Sequence, residues 1–579
     1  MYANDPLVLE LLALLKAHDV RNIVISPGSR HYAFTRSFEN DDFFTLHSVV
    51  DERSAAFYAL GLIQATGFPA ATICTSGTAA ANYGSAVAEA YYQKLPLVVL
   101  TTDRLPEYLN QMEDQMFDQT RLFEGFTRHT AHLRPIMSAR DAWYCNRVIN
   151  EALIECKTGG GGPVHVNIPL ESHTGIRFTA KTLPKARVIV RHNMEVETPD
   201  WRATASRLRK KKVLLVWGQG PRPDGATLAA LDDFTSTFDC VVLADHLANL
   251  HQDRRVENPL SYLKSKESKG AHLQPDLVLT VGGNIVFKDE LKNFLKDAQF
   301  EHWRIDPDGG IADPFRKLTN VFPTEPRPFL QAVTSAAESR SASVYAERTI
   351  SAAITVPAPE APHGELATIG VLLRSLPKGS ALHIANSAPI RMTQLFEIDD
   401  SIDVFCNRGV NGIDGCMSTA IGYAAAVGRP TYLIIGDLTF FYDMNSLWIR
   451  HLPDNLRILL LNNEGGAIMH SPLPASYTVA AQQHVTAGHN TTAQGWVQSL
   501  SIDYRPVMSA DGLTDGISWL TDPFAGSTRL LEVFTEKVSD IHQLKSYYLS
   551  ILEGPGSNSL WRRGMRFAKK VLRRLGIRR

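Results

Sequence analysis

The chain has 579 residues, too many for one hydrophobic core, and its size points to about three or four domains. It is 44% hydrophobic and 21% charged with a net charge of −1, ordinary for a globular protein and no electrostatic case for nucleic acid. Six scattered cysteines (Cys74, Cys145, Cys156, Cys240, Cys406, Cys416) without a CxxC pair argue against a zinc ribbon or disulfide framework and for a reducing cytoplasm.

The polar start runs into a helix at 7–18, entered through Asp5-Pro6, and not into a signal-peptide core; no stretch has the length of a membrane span. A short strand at 22–25 ends in Ser26-Pro27-Gly28-Ser29-Arg30, small residues and an arginine that suit an anion at a helix N-terminus. The strand 44–49 delivers Asp51-Glu52-Arg53 to the mouth of a buried helix, 54–65. A charged triplet at the mouth of a buried helix is unusual and marks a candidate functional group; the plain alternative is a capping cluster, with acidic groups meeting the positive helix end. The strand 70–74 leads into Thr75-Ser76-Gly77-Thr78-Ala79-Ala80-Ala81-Asn82, and the strand 97–101 into Thr102-Asp103-Arg104. This succession of strand, turn and helix predicts a parallel α/β domain. Gln115 and Gln119 follow in a weakly periodic polar stretch that reads as a mobile loop. Gly159-Gly160-Gly161-Gly162-Pro163 and a strand at 164–168 close the domain.

Residues 181–200 are polar and contain proline, which marks a linker. A second α/β unit opens with a strand at 212–217 and turns at Gly218-Gln219-Gly220. Pro221 follows at once and no GxGxxG is completed, so nucleotide binding is not expected there. Further strands fall at 240–243 and 277–281, and 324–362 reads as helix and then a second linker. In the third unit a strand at 381–384 precedes Asn386-Ser387 and Arg391. Another at 403–405 precedes Cys406-Asn407-Arg408-Gly409-Val410-Asn411-Gly412-Ile413-Asp414-Gly415 and a small-residue helix, 417–426.

The stretch 432–471 carries two apolar runs. Tyr432-Leu433-Ile434-Ile435 stops at Gly436-Asp437, with a helical segment predicted at 442–451; the run 458–461 stops at Asn462-Asn463-Glu464-Gly465-Gly466. As strands of one parallel sheet they deliver Asp437 and Asn463 to a single carboxyl edge, where open α/β sheets bind ligands. One carboxylate, one amide oxygen and backbone carbonyls form a sparse, hard set of the kind Mg²⁺ shares with water and phosphate oxygens. The plain alternative is two strand-to-loop turns with solvated polar residues. Beyond Gly554, residues 560–579 are rich in Lys and Arg without an acid, and Trp561, Met565, Ala568, Leu572 and Leu575 share one helical face. Such a tail suits an anionic membrane surface, or is simply solvated.

Taken together, residues 5–550 resemble thiamine diphosphate (ThDP)-dependent enzymes. More narrowly, they resemble the 2-succinyl-5-enolpyruvyl-6-hydroxy-3-cyclohexene-1-carboxylate (SEPHCHC) synthases of menaquinone biosynthesis. The carrying pieces are Ser26-Pro27-Gly28-Ser29-Arg30, Asp51-Glu52-Arg53-Ser54-Ala55-Ala56-Phe57, Thr75-Ser76-Gly77-Thr78-Ala79 and Thr102-Asp103-Arg104. With them go Asn407-Arg408-Gly409, Gly412-Ile413-Asp414-Gly415, Gly436-Asp437-Leu438 and Asn462-Asn463 with Gly465-Gly466.

The resemblance implies an α/β, three-domain fold with parallel sheets flanked by helices. It divides the chain into a pyrimidine-binding domain (1–180), a central α/β domain (190–345), a diphosphate-binding domain (360–550) and the basic tail (551–579). It also implies ThDP with Mg²⁺ (or Mn²⁺), bound between subunits of a dimer or tetramer. Glu52 matches the glutamate that meets the aminopyrimidine ring. Ser76, Gly77, Asn386, Ser387, Ile413, Gly436, Asp437, Leu438, Asn463, Gly465, Gly466 and Ile468 match cofactor neighbours, with Asp437, Asn463 and the Gly465 carbonyl on the metal. The implied reaction decarboxylates 2-oxoglutarate and adds the succinyl carbanion equivalent to isochorismate. Both substrates are anionic, and Arg30, Arg104, Arg391 and Arg408, with Ser29 and Gln115, match the positions that receive them.

The sequence departs from the family pattern at His31-Tyr32-Ala33, Met112-Glu113-Asp114, Gly309-Gly310-Ile311-Ala312-Asp313, Glu464 and Met469-His470-Ser471. A relative acting on another 2-oxo acid or acceptor is therefore the alternative. A ThDP-fold binding protein with lapsed catalysis is opposed by the intact Glu52, Asp437 and Asn463. The expected location is the cytoplasm, with the tail as a membrane-surface contact.

Overall fold

Short apolar runs, each ended by a small-residue or Asn-containing turn, build the sheets of a computed structural model that describes residues 1–170, 175–191, 199–264, 268, 270–353, 357–361, 363–466 and 483–553. At the N-terminus β1 (Tyr2–Ala3) pairs antiparallel with β8 (Phe178–Ala180). Between them lie β2 (Asn22–Ile25), β3 (Thr45–Ser48), β4 (Ala70–Cys74), β5 (Leu97–Asp103), β6 (His129–His132) and β7 (Val164–Pro169). These form a six-stranded sheet in the order β3-β2-β4-β5-β7-β6. A five-stranded sheet, β10-β9-β11-β12-β13, follows from β9 (Val213–Trp217), β10 (Cys240–Ala244), β11 (Leu277–Val281), β12 (Glu301–Ile305) and β13 (Leu318–Phe322). The third sheet joins β14 (Ala381–Ile384), β15 (Asp403–Phe405), β16 (Thr431–Gly436), β17 (Leu456–Asn462), β18 (Asp503–Val507) and β19 (Arg529–Phe534) in the order β15-β14-β16-β17-β19-β18.

All pairings within these three sheets are parallel. The inner strands β4, β5, β7, β9 and β17 are buried along their whole length, as helix-covered parallel sheets require. In each sheet the first strand lies between the second and the third, so the winding reverses at β2/β4, β9/β11 and β14/β16. At such a reversal neighbouring connections leave on opposite faces and a crevice opens beyond the strand ends.

The first and third sheets are joined by the helices Glu52–Thr66 and Cys416–Ala426, which cross with their backbones in contact. A Cβ built on Gly61 would lie 2.1 Å from the Thr419 carbonyl oxygen, and one on Gly422 would lie 2.1 Å from that of Tyr58. Their apolar cluster includes Ala56, Leu60, Ile421 and Leu433. Another runs from Leu214 and Val241 of the second sheet to Ile369, Ile384 and Leu459 of the third.

The helical segment predicted at 442–451 begins earlier, as the helix Asp437–Tyr442, followed by a 3-10 turn at Met444–Leu447. Extended backbone at Gly436 lets the helix start on the residue after β16, so Asp437 stands in its first turn. The strands β6, β12, β13, β18 and β19 were not evident from periodicity; β13 and β18 lie at sheet edges and are only partly buried. The described part of the 181–200 linker leans on the helix Ala139–Glu155, where Asn146 and Asn150 both donate to the Arg187 carbonyl (2.9 and 3.0 Å). All six cysteines are buried and free. No helix of the described residues is long and apolar enough to cross a membrane. The basic tail at 560–579 lies outside the described residues.

Candidate active site

At the β2/β4 reversal Arg30 Nε donates to Ser76 Oγ at 3.1 Å, and both residues are buried. The turn after β4 passes tightly beneath the loop that follows β5. Gly77 has φ +80, and a Cβ there would sit 3.0 Å from the Gln115 backbone, so a glycine is required. Gln115 itself has φ +52. Gln119, expected in a mobile loop, is fully buried: its Oε1 accepts from the Gly77 N–H at 2.8 Å and its Nε2 donates to Asn167 Oδ1 at 2.9 Å. Asn167 donates on to Asp103 Oδ2 (2.9 Å), and Asp103 Oδ1 accepts the Arg104 N–H (2.8 Å). This relay ties the ends of β4, β5 and β7 together and sets Arg104, which pairs with Glu113 at 2.9 Å. Arg30 has no ion pair among the described residues. Lost hydration, and then neighbouring Arg104, pull its guanidinium below the usual range. Ser29 is exposed beside it.

Glu52 is the first residue of its helix, but the capping role of the acidic triplet belongs to Asp51, which accepts from the Ser54 N–H at 3.1 Å. The mouth of this helix is clamped to residues 442–445: Arg53 donates to the Tyr442 carbonyl at 2.6 Å and lies over its ring, and Asn445 donates to Asp51 at 2.9 Å. Glu52 is half-buried and has no ion pair among the described residues. Burial raises its carboxyl above the usual range, although its own N–H opposes the shift.

At the β14/β16 reversal Asn386 gathers the turn after β15. Its Nδ2 donates to the carbonyls of Asn407 (2.6 Å) and Gly412 (2.7 Å), which brings Ile413 alongside, and its Oδ1 accepts from Arg408 Nη1 at 3.1 Å. Ser387 takes φ +78, and its carbonyl accepts from Arg391 Nη1 at 2.7 Å. Arg408 is buried, its Nε has no partner, and neither it nor Arg391 forms an ion pair among the described residues. Desolvation and then Arg408 weigh against the charge on Arg391. The same turn is gripped from the first sheet's side. Buried Glu89, in the helix Gly84–Gln93, accepts the N–H groups of Gly409 and Val410, each at 2.7 Å.

The ends of β16 and β17 bring together the predicted metal residues. Buried Asp437 accepts the N–H groups of Leu438 (2.6 Å), Asn463 (3.1 Å) and Gly465 (2.9 Å). Asn463 Nδ2 donates to Glu365 Oε1 at 2.8 Å, while its Oδ1 is buried with no partner among the described residues. Glu365 is itself buried. Desolvation, then Asp540 and Asp437, push its carboxyl well above the usual range. Gly466 N–H is held on the Thr486 carbonyl at 2.7 Å. His489 Nε2 stands 3.4 Å from Asp437 Oδ2. Among the described residues no three His, Cys, Asp or Glu side chains converge as a metal cluster. A cation here would rest on a mixed set, the Asp437 carboxylate and the orphaned Asn463 oxygen. A buried amide oxygen whose NH₂ is already engaged calls for a positive partner, and a hard divalent ion that keeps water and phosphate oxygens fits.

The predicted residues thus form three groups: Ser29, Arg30, Ser76, Gly77, Arg104 and Gln115; Asn386, Ser387, Arg391, Arg408 and Ile413; and Gly436, Asp437, Leu438, Asn463, Gly465 and Gly466. Pro389 lies 3.9 Å from a Cβ built on Gly436, so the second and third groups adjoin. No hydrogen bond or ion pair among the described residues joins Glu52 or Arg30 to Asp437. Ile468 and Met469-His470-Ser471 lie outside the described residues. Glu464 is exposed, with its carbonyl accepting from Lys537 at 2.7 Å. The departure at 309–313 lies near Pro323 with Ile311 exposed. A cavity of about 400 Å³ lined by His47, Tyr58, Val427 and His451 opens at the far end of the helix Cys416–Ala426 from the Arg408 turn. Glu89 and Glu365 escaped the sequence reading, and Gln119 was read only as part of a mobile loop, because each acts on a distant backbone or amide.

Residues 9–122 match the thiamine pyrophosphate enzyme, N-terminal TPP binding domain. Over 95% of its length the chain is 40% identical to a 2-succinyl-5-enolpyruvyl-6-hydroxy-3-cyclohexene-1-carboxylate synthase of Phocaeicola vulgatus, covering 99% of that protein. It is 38% identical, with the same coverage of both chains, to proteins of that name from Bacteroides fragilis and Bacteroides thetaiotaomicron. Likeness at this level over nearly the full length of both chains shows that the chain belongs to the 2-succinyl-5-enolpyruvyl-6-hydroxy-3-cyclohexene-1-carboxylate synthase family, whose members are ThDP-dependent enzymes that form a carbon–carbon bond.

Proposed function

We propose that the protein decarboxylates 2-oxoglutarate and joins the resulting succinyl unit to isochorismate by conjugate addition, with ThDP and Mg²⁺, to give SEPHCHC for menaquinone biosynthesis. The observation that carries this proposal is a set of guanidiniums that no carboxylate of the described residues pairs directly. Arg30, Arg391 and Arg408 follow β2, β14 and β15, and none forms an ion pair among the described residues; Arg30 and Arg408 are buried, while Arg391 is exposed. A buried cation without an ion-pair partner costs several kcal/mol. Carboxylate substrates remove that cost on binding, and the guanidinium fork matches their geometry. The names of the full-length relatives support the same reaction.

In this proposal Asp437, Asn463 Oδ1 and the Gly465 carbonyl would hold Mg²⁺, with the Asn386–Ser387 and Gly436–Leu438 turns beside it. Ser76, Gly77, Ile413 and Gly466 line the cofactor. ThDP supplies, when bound, the nucleophilic carbon and the electron sink that decarboxylation of a 2-oxo acid requires. Glu52, its carboxyl raised by burial, would be the group that shares a proton with the aminopyrimidine ring. Arg391 and Arg408 orient one anionic substrate; Arg30 and Arg104, with Ser29 and Gln115, orient the other. Holding both reactants in line is where such sites gain most of their rate.

Among the described residues no hydrogen bond or ion pair joins Glu52 to the Asp437 group of its own chain, and we infer that the site is completed by a second copy in a dimer or tetramer. Exposed Val50, Tyr442 and Trp448 around the clamped helix mouth support such an association. The tail beyond Gly554 is proposed to touch anionic membrane. Equal pelleting with anionic vesicles by the full chain and by a form ending at Gly554 would remove that idea.

The deciding assay supplies purified protein with ThDP, Mg²⁺, 2-oxoglutarate and isochorismate. CO₂ release together with the mass of the adduct is expected. CO₂ without adduct would move the proposal to a different acceptor, and neither product would overturn it.

A further inference from the structure

The central sheet has the strand order β10-β9-β11-β12-β13, and its winding reverses between β9 and β11. Ligands of open α/β units bind beyond the strand ends at such a reversal. Here that position is filled by the chain itself. Gln219, in the turn after β9, donates from Nε2 to the Cys406 carbonyl at 2.7 Å. Asn284, in the turn after β11, donates from Nδ2 to the Arg408 carbonyl, also at 2.7 Å. The two turns lock together: Gly218 N–H bonds to the Val281 carbonyl (2.8 Å), Gln219 N–H to that of Asn284 (3.1 Å), and Gly283 N–H to that of Gln219 (2.8 Å). A Cβ on Gly218 would lie 2.0 Å from the Gly283 oxygen. The half-complete glycine motif at 218–220 therefore serves to close this turn pair against a neighbouring backbone.

The grip is one of several on the same short turn. Glu89 holds the N–H groups of Gly409 and Val410 from the first sheet's side, and Asn386 holds the Arg408 guanidinium from the third. In the turn after β10, buried Asp245 anchors the Val286 N–H at 2.6 Å, and it lies close enough to Arg408 to feel its charge. The backbone on both sides of Arg408 is thus fixed by groups outside its own sheet, while its guanidinium keeps an unpartnered Nε.

We infer that Gln219 and Asn284 are positioning residues for substrate: the reversal point of the central sheet binds the 406–408 backbone in place of a ligand and so sets where the Arg408 guanidinium meets a substrate carboxylate. This rests on the proposed substrate role of Arg408.

The test is steady-state kinetics on the full-length holoenzyme carrying Gln219→Met, Asn284→Leu, Arg408→Ala, and each amide variant combined with Arg408→Ala. Melting temperature and ThDP affinity are measured on each. KM for one carboxylate substrate should rise by ~10- to 100-fold in the amide variants, the scale of a misplaced orienting group, with kcat changed far less. That rise should vanish when Arg408 is already alanine, since the amides then have nothing left to position. Additive losses in the double variants, or a lowered melting temperature with KM unchanged, would mean that the amides serve packing alone and would overturn the inference. If Arg408→Ala itself leaves both KM values unchanged, the proposed role of Arg408 fails, independently of the amide variants. Should Asn284→Leu not fold, Asn284→Ser trims the donor while leaving room for water and carries the same comparison.

Discussion

Asn463 keeps its buried amide oxygen free of a partner among the described residues because Glu365 takes the amide nitrogen at 2.8 Å. Removing that acceptor leaves the amide free to rotate, so Glu365→Ala should weaken Mg²⁺-dependent ThDP binding by roughly tenfold, the cost of one lost hydrogen bond. A Mg²⁺ titration followed by tryptophan fluorescence checks this, and an unchanged midpoint would show that Glu365 does not orient Asn463. Glu52→Gln probes the other end of the proposed site. It should lower kcat by at least ~100-fold, as loss of a positioned acid–base group does, while cofactor affinity stays within a few-fold. Full activity in that variant would remove Glu52 from the chemistry. Glu52, Asp437 and Asn463 were legible because each sits in a short motif at a strand end. Glu365, Glu89 and Gln119 were not, since their partners are a side chain or backbone N–H brought close only by folding.

The helix Glu52–Thr66 carries Glu52 at one end and crosses Cys416–Ala426 near its middle. Its composition, dense in Ala and Leu, shows that it is buried but not what it meets. The structure supplies the partner: Gly61 and Gly422 let each backbone touch the other, with no room for a Cβ on either. Gly422→Val should therefore pry the pair apart and cost ~3 kcal/mol or more, the scale of severe overpacking. Urea denaturation measures it. A loss below about 1 kcal/mol would mean the crossing can relax without cost. Moving this helix also moves Glu52, so activity in Gly422→Val should fall further than its folded fraction.

At the scale of the whole molecule, lost hydration holds several histidines of the described residues neutral, among them five buried ones and the half-buried His246. Burial brings His31, His47, His246 and His302 down to about 4, and His165 and His383 down to about 3. Each folded value lies below the unfolded one near 6.5. Their stabilisation is therefore complete above that pH and is lost as pH falls toward the folded values, because the unfolded chain binds the extra protons. Buried carboxyls work in the opposite sense. Asp443 and Asp540 are raised to about 7, so they favour the folded state most at low pH and lose that contribution as pH rises from near 4 to near 7. One residue separates the two effects. His383 stacks on Phe405 with ring centroids 4.9 Å apart, and phenylalanine can keep that contact without the proton site. Between pH 6.5 and 4.5, His383→Phe should lose less stability than the parent, by up to ~1.4 kcal/mol per pH unit, in urea melts at each pH. Parallel losses would show that His383 does not contribute.

The sequence alone determined the α/β class, the cofactor family and the strand-end positions of Arg30, Glu52, Arg408, Asp437 and Asn463. Strand, turn and helix are local events, and motif residues at strand ends keep their spacing whatever the rest of the chain does. Tertiary structure decided what surrounds them: the amide relay from Gly77 to Asp103, the Glu365 contact that aims Asn463, and the convergence of Glu89, Gln219, Asn284 and Asn386 on the Arg408 turn. Those contacts join residues tens to hundreds apart, across sheets that each fold from their own local pattern. Such partners leave no period or spacing to read in the chain, because only the packing of one sheet unit against another makes them neighbours.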